Sequence, residues 1–155
     1  PLDVKEVILE RVKYLDTLIQ FKELKLFTVL EEKTIHMDKR KLILLIDNLL
    51  TNAIKFSKKD GVIEVNLTDS YFSVKDNGIG IGKGESRKIF RRFYQTGRPG
   101  RTMAKGSGLG LSLVQNIARL HKGRVEAESR MDGEGSVFTL ILPRRKKTIL
   151  VEDNQ

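Results

Sequence analysis

The chain has 155 residues, of which 39% are hydrophobic and 32% charged, and this composition favours one soluble globular domain with a single core. It contains no cysteine, which excludes disulfides and thiolate metal sites, and it has no apolar run long enough to span a bilayer and no visible signal peptide. The net charge of +9 suits a nucleic acid, an anionic membrane surface or an anionic small ligand, and a cytoplasmic location fits these features.

The first part of the chain predicts a helix followed by two short strands. Apolar residues recur at helical spacing across residues 2–24 and predict one amphipathic helix. Residues 25–37 are richer in β-branched and aromatic side chains, so we expect two short strands there, with a turn near Lys33.

A second helix is predicted from the N-cap residue Asp38 to about Ser57. Its buried stripe is predicted to consist of Leu42, Leu45, Ile46, Leu49, Leu50 and Ala53. Asn48, Asn52 and Lys55 share a neighbouring face, because they stand at positions i, i+4 and i+7. Asparagine is a mediocre helix former, so two stacked asparagines indicate either a solvated polar face or a pair of amide ligands lining a cleft.

An antiparallel hairpin is predicted next, with strands at residues 62–68 and 71–75. Its second strand ends on Asp76, and Gly78, Gly80 and Gly82 follow. A carboxylate at a strand end followed by glycines is either a tight turn or a ligand site.

The middle of the chain predicts a short helix and then a loop. The helix covers residues 85–94, and residues 95–105 are polar, basic and contain glycine and proline, which is typical of a mobile lid. A glycine-rich segment at residues 106–112 then leads into a predicted helix at residues 109–120. Glycines at the start of a helix suit an anion such as phosphate, although flexible loops have the same composition.

The end of the chain predicts a second hairpin and a basic tail. Strands are expected at residues 124–130 and 136–143, after a helix end at Lys122-Gly123. Residues 144–147 are basic, and residues 148–155 are either a disordered tail or the beginning of another domain.

Four segments, in order, resemble the motifs of sensor histidine kinases. Residues 48–57 resemble the asparagine box, and residues 76–81 resemble the first glycine box. Residues 89–94 resemble the phenylalanine box, and residues 106–112 resemble the second glycine box. The separations between them are also those of the family.

This resemblance implies the Bergerat ATP-binding fold, which DNA gyrase, a mismatch-repair ATPase and a heat-shock chaperone share. The fold is an α+β two-layer sandwich, in which a mixed, mostly antiparallel sheet is covered on one face by helices. We expect residues 1–143 to form this catalytic ATP-binding domain. Residues 144–155 would form a basic linker and a tail, which resembles the first strand of a receiver domain.

The resemblance also implies a role for each matching residue. Asp76 would accept from the adenine amino group, and Asn52 would bind magnesium. Asn48 and Lys55 would contact phosphate, and Phe56 would cover the nucleotide. The other nucleotide-binding residues that it implies are Gly78, Gly80, Ile81, Phe93, Tyr94, Lys105, Gly106, Ser107, Gly108, Leu109, Gly110 and Leu111.

Two catalytic features of the sequence differ from those of related proteins. Related hydrolysing ATPases have a glutamate where this chain has Asn48, and a neutral amide cannot act as a general base. We therefore expect a site that holds ATP for transfer and hydrolyses it poorly. Many family members have an arginine at the position of Gln95, where hybrid kinases often have glutamine. The candidate lid cations that remain are Arg92, Lys105, Arg98 and Arg101, and no other catalytic residue is assigned.

The function implied is that of a histidine kinase catalytic domain acting with ATP and Mg²⁺. It would donate the γ-phosphoryl group to a histidine on a separate phosphoacceptor domain. The parent protein that carries both domains would dimerise through that second domain, and its partner in signalling would be a response regulator. We interpret His36 and His121 as structural, because neither lies in the expected helical hairpin. The alternatives are a serine protein kinase or an ATP-driven switch of the same superfamily. No nucleic-acid partner is expected, because the aromatic residues fall within the nucleotide motifs instead of alternating with basic residues.

Overall fold

The computed structural model describes residues 1–82, 84–91, 110–130 and 134–142. The helices in these ranges are α1 (Val4–Tyr14), α2 (Asp16–Phe21), α3 (Lys39–Phe56) and α4 (Gly110–Leu120), with a 3₁₀ helix at Lys88–Phe90. The strands are β1 (Leu2–Asp3), β2 (Lys25–Leu30), β3 (Thr34–Ile35), β4 (Val62–Leu67), β5 (Tyr71–Asp76), β6 (Arg124–Ser129) and β7 (Ser136–Ile141).

Five of these strands form one sheet in the order β2-β4-β5-β7-β6. Strand β2 runs parallel to β4, whereas the other neighbouring pairs are antiparallel. Strands β1 and β3 form a separate two-stranded ribbon. The mixed, mostly antiparallel sheet and both predicted hairpins are therefore confirmed.

The helices lie on one face of the sheet. Alternate strand residues point into the core on that face, namely Ile63, Val65, Leu67, Phe72, Val74, Val125, Ala127, Phe138 and Leu140. Helix α3 packs against β5, α1 and α4. The opposite face carries partly exposed side chains such as Glu64, Asn66 and Lys75. The predicted two-layer α+β architecture is confirmed.

Helix α3 is the central helix of the core. Asp38 caps its start, with a carboxylate oxygen 2.8 Å from the Arg40 N–H, as predicted. All six residues of the predicted stripe are at most 1% exposed. Truncating one of these leucines to alanine would cost about 2–5 kcal/mol of stability. The packing of this stripe determines which way the polar face of α3 points.

Two contacts outside the core hold α3 in place. The Arg11 guanidinium forms two hydrogen bonds with the Asp47 carboxylate, at 2.8 and 2.7 Å. Hydrogen bonding to Asp47 raises the pKa of Arg11. Lys22 Nζ lies 2.7 Å from the Ile54 carbonyl and 2.8 Å from the Lys55 carbonyl. It therefore bonds carbonyls at the end of the helix that lack an intrahelical partner.

Two helix predictions were wrong in part. Residues 2–24 do not form one helix, because Leu2 and Asp3 pair with Ile35 and Thr34 and because the helix breaks at Leu15. Leu15 and the following Ile19 are both buried, so the break between α1 and α2 lies within the packed core. The predicted helix at residues 85–94 is only the 3₁₀ turn Lys88–Phe90 within the described residues, with Ile89 and Phe90 buried.

The last helix ends at Leu120, just before the predicted end at Lys122-Gly123. Lys122 takes the left-handed conformation, with φ 60°. No helix in the described ranges is long and apolar enough to cross a membrane.

Candidate nucleotide-binding site

Asp76, the last residue of β5, is a buried carboxylate that is only 1% exposed. Its Oδ1 accepts from the Gly78 N–H at 2.9 Å, and its Oδ2 accepts from the Ser136 hydroxyl at 2.7 Å. Burial raises the pKa of Asp76, whereas the bonds from Ser136 and Gly78 act to lower it. Because each carboxylate oxygen has two lone pairs, Asp76 retains capacity to accept from a further N–H group.

The loop after β5 packs against the end of α3. The Ile79 N–H lies 3.4 Å from the Phe56 carbonyl oxygen. A Cβ atom at Gly78 would lie 1.9 Å from the same oxygen, so a side chain there would force the backbone apart. The first glycine box and the end of the asparagine box are therefore in direct contact.

The start of α4 packs against the middle of α3. The Asn48 amide donates from Nδ2 to the Leu44 carbonyl at 2.7 Å. A Cβ atom at Gly110, the first residue of α4, would lie 2.5 Å from Asn48 Oδ1. The N-terminus of a helix carries unpaired N–H groups and the positive end of its dipole. The last glycine of the second glycine box thus lies beside the first asparagine of the asparagine box.

The other predicted ligands on α3 remain accessible. Asn52 and Phe56 are half-buried, and Lys55 is exposed. The Asn52 side chain makes no hydrogen bond with another described residue. Its neighbour Thr51 instead bonds back to the Asp47 carbonyl at 2.7 Å. Within the described ranges, the Asn52 amide is therefore left without a protein partner.

The turn between β6 and β7 contributes residues that the sequence did not mark. Ser136 holds Asp76, as described above. Gly135, with φ +103°, lies so close that a Cβ atom would be 2.0 Å from the Asp76 carbonyl oxygen. Ser136 and Gly135 could be placed beside Asp76 only from the pairing of β7 with β5, in which Lys75 lies opposite Val137. Continuing that register by one residue places Ser136 opposite Asp76.

Ser129, at the end of β6, was also missed. Its hydroxyl accepts from the Ile81 N–H at 3.2 Å and donates to the Ile81 carbonyl at 2.9 Å. Gly80, with φ +71°, and Ile81 are both half-buried, as is Leu111 on α4. Ser129 therefore fixes the far end of the first glycine box to the sheet.

Several predicted residues lie outside the described ranges and remain predictions. They are Arg92, Phe93, Tyr94, Gln95, Arg98, Arg101, Lys105, Gly106, Ser107, Gly108 and Leu109, together with the predicted lid at residues 95–105 and the tail at residues 144–155. Of the two histidines, His36 is exposed before α3, and His121 Nδ1 lies 2.9 Å from the Ile117 carbonyl at the end of α4.

This five-stranded mixed sheet, with its helices on one face, is the α+β fold of histidine kinase catalytic domains. A family model described as "Histidine kinase-, DNA gyrase B-, and HSP90-like ATPase" matches residues 37–146. The chain therefore belongs to this family, as the catalytic ATP-binding domain of a sensor histidine kinase.

Individual relatives agree with this assignment. Sensor histidine kinase WalK of Bacillus subtilis is 34% identical over 119 residues, which cover 73% of this chain and 19% of WalK. Sensor protein QseC of Escherichia coli K12 is 48% identical over 85 residues, which cover 55% of this chain and 18% of QseC. The solved structure of the mycobacterial sensor histidine kinase MprB has a TM-score of 0.75 and 25% identity, covering 93% of this chain and 96% of that one. The chain thus spans under a fifth of the length of these two curated relatives.

Proposed function

We propose that this chain binds ATP with Mg²⁺ and donates the γ-phosphoryl group to a histidine on a separate dimerisation and phosphoacceptor domain. A response regulator would then receive the group. The observation that carries the proposal is that described parts of three motifs meet at α3. Gly110 lies beside Asn48, Gly78 lies against Phe56, and Asp76 bonds the Gly78 N–H.

Adenine recognition is assigned to Asp76. A buried carboxylate that still has a free lone pair accepts well from an exocyclic amino group. The hydrogen bonds from Gly78 and Ser136 fix its orientation, so little side-chain entropy is lost on binding. Phe56, which is half-buried at the end of α3, is assigned to cover the nucleotide.

The phosphates and the metal are assigned to the polar face of α3 and the start of α4. The Asn52 amide oxygen is a hard ligand with no partner among the described residues, which fits Mg²⁺. Phosphate and water would supply most of the coordination of the metal. Bound Mg²⁺ would neutralise charge on the transferring phosphoryl group. Asn48 and Lys55 would contact the phosphates.

The chain's own residues favour transfer over hydrolysis. Asn48 is a neutral amide whose Nδ2 already donates to a carbonyl, so it cannot take a proton from water. His121 follows the end of α4, opposite to Gly110 at its start, and His36 precedes the start of α3, so neither histidine is part of the assigned phosphate site. The nucleophile is therefore assigned to a separate domain. We also propose that residues 1–143 form the catalytic unit and that residues 144–155 link it onward.

The first experiment is a calorimetric titration of ATP and ADP with and without Mg²⁺. The second supplies a helical hairpin bearing the phosphoacceptor histidine and follows label from γ-³²P-ATP. We expect Mg²⁺-dependent binding, no labelling of the chain alone, and acid-labile label on the hairpin. Acid-stable label on a serine would indicate the serine kinase alternative. Rapid hydrolysis without any acceptor would indicate the ATP-driven switch.

A further inference from the structure

Among the residues that the structure describes, nothing pairs with the outer edge of β2. Strand β2 stands at the end of the sheet, and within the described ranges only β4 pairs with it. Phe27 and Val29 are 57% and 68% exposed, and Thr28 is also exposed. Proteins usually protect such an edge with charges, proline or a bulge, but the strand Lys25–Leu30 has a single charge, at its first residue. This edge is therefore suited to pair with another strand.

The main chain shows which residues of β2 are available. The Lys25 N–H donates to the Gly61 carbonyl at 3.0 Å, and the Glu31 N–H donates to the Leu67 carbonyl at 2.9 Å. Because alternate residues of a strand direct their N–H and C=O groups to opposite sides, the odd-numbered residues bond β4. Leu26, Thr28 and Leu30 consequently direct their main-chain groups to the free edge.

The sequence around Thr28 is complementary to itself when reversed. In an antiparallel pair with Thr28 opposite Thr28, Leu26 of each copy lies opposite Leu30 of the other. Both of these residues direct their main-chain groups to the outer edge, so they can bond each other. Phe27 then lies opposite Val29, an aromatic and β-branched pair that favours pairing. In the same register Lys25 lies opposite Glu31, so opposite charges meet at both ends. Neither Lys25 nor Glu31 has an ionic partner among the described residues, and both are exposed.

We propose that β2 pairs with β2 of a second copy of this chain, antiparallel and with Thr28 on the two-fold axis. In this register the N–H and C=O groups of Leu26, Thr28 and Leu30, six in each copy, are all bonded to the partner strand. A register shifted by two residues would leave some of them unbonded. The two sheets become one continuous sheet, and both helical layers lie on the same side of it. This inference does not depend on the proposed phosphoryl transfer.

The expected association is weak. Two paired six-residue strands bury less than the roughly 1,200 Å² of total surface that is typical of stable complexes. We therefore expect reversible dimers at high protein concentration, with a dissociation constant of the order of 10⁻⁴ M. Sedimentation velocity of this chain at roughly 10 µM to 1 mM would measure it.

Charge exchange tests the register. K25E and E31K each place like charges together at both ends of the pair, so each variant alone should dimerise roughly tenfold more weakly, or worse. Mixing the two should restore dimers, because each contact then joins Glu to Lys. The double variant K25E/E31K should also dimerise like the parent. K41E, a charge change at an exposed lysine near the start of α3 and outside β2, is the matched control.

A cysteine reporter tests the axis independently. The chain has no cysteine, so T28C introduces a single thiol. Across the proposed axis the two Cα atoms would lie about 5.5 Å apart, within disulfide range, whereas V29C would place them about 7–8 Å apart. Mild oxidation should cross-link T28C much faster than V29C. A chain that stays monomeric at 1 mM, dimers indifferent to K25E and E31K, or equal cross-linking of both cysteine variants would each overturn the proposal.

Discussion

Asn48 of α3 and Gly110 of α4 meet so closely that a Cβ atom on Gly110 would lie 2.5 Å from the Asn48 amide oxygen. The clash would involve the end of a flexible side chain, so Asn48 can rotate away without moving the backbone. At Gly78 the clash would instead be with the Phe56 carbonyl, which cannot move without disturbing α3. The two glycines therefore support the site in different ways.

G110A should displace the Asn48 amide while leaving the fold intact. We expect the unfolding free energy to change by less than about 1 kcal/mol, because alanine favours a helix and offsets the clash. ATP affinity should fall by roughly tenfold, because one charge-assisted hydrogen bond between Asn48 and a phosphate is lost. Calorimetry should find N48A/G110A no weaker than either single variant, because both changes remove the same contact. Additive losses would mean that Gly110 acts separately, and N116A, an exposed change on α4, is the control.

D76N should abolish most of the selectivity for adenine. The amide can present a donor where a carboxylate accepts, which leaves a buried group unpaired and costs about 1–3 kcal/mol. We expect a larger loss of affinity for ATP than for an analogue without the amino group. Equal weakening of both ligands would contradict the assignment.

D76N should also change how stability depends on pH. Because burial raises the pKa of Asp76 in the folded chain, ionising this carboxyl costs more in the folded state than in the unfolded state. The parent should therefore lose stability as pH rises from the ordinary carboxyl pKa through the raised one. Urea unfolding between about pH 4 and pH 7 should show that D76N lacks this loss.

S136A should move the acid limit of ATP binding. The Ser136 hydroxyl bonds Asp76 Oδ2 at 2.7 Å and acts to lower the pKa of Asp76. Without this bond the pKa of Asp76 rises further, so Asp76 becomes protonated at a higher pH and loses the charge that strengthens its bond to adenine. The pH midpoint of ATP affinity should shift upward in S136A and stay unchanged in S86A, an exposed serine. A uniform loss at every pH would indicate a purely structural effect.

N52A should weaken the Mg²⁺-dependent part of nucleotide binding. The Asn52 side chain has no partner among the described residues, so its removal should leave stability within about 0.5 kcal/mol of the parent. Titrating Mg²⁺ at fixed ATP should give a higher midpoint for N52A. N66A, on the opposite face of the sheet, is the control. An unchanged Mg²⁺ midpoint would rule out Asn52 as a metal ligand.

K22M should loosen the end of α3. Lys22 Nζ bonds the carbonyls of Ile54 and Lys55, and losing charged hydrogen bonds of this kind costs about 1.5–3 kcal/mol. Chemical denaturation should measure this loss, and hydrogen exchange should be faster at the end of α3 only. K41M, at an exposed lysine near the start of the same helix, should have no effect.

Local patterns were sufficient for much of the fold. The cap at Asp38, the buried stripe of α3 and the two hairpins were all predicted, because each depends on residues close together in the chain. The break at Leu15 was not predicted, since the apolar periodicity continues across it and Leu15 and Ile19 are both buried. Within the described residues, the helix expected from residue 85 is only a short turn, which is enough to bury Ile89 and Phe90.

By itself, the sequence determined the motifs, the residue types at the site and the family, because glycine spacing and stacked asparagines are local properties of the chain. Tertiary structure alone decided which of these residues meet. Ser136 reaches Asp76 across 60 positions, because β7 inserts beside β5 in one particular register. Gly110 reaches Asn48 only because α4 packs on α3. Such contacts depend on closing long loops and filling a shared core, and no pattern within a single segment encodes that choice.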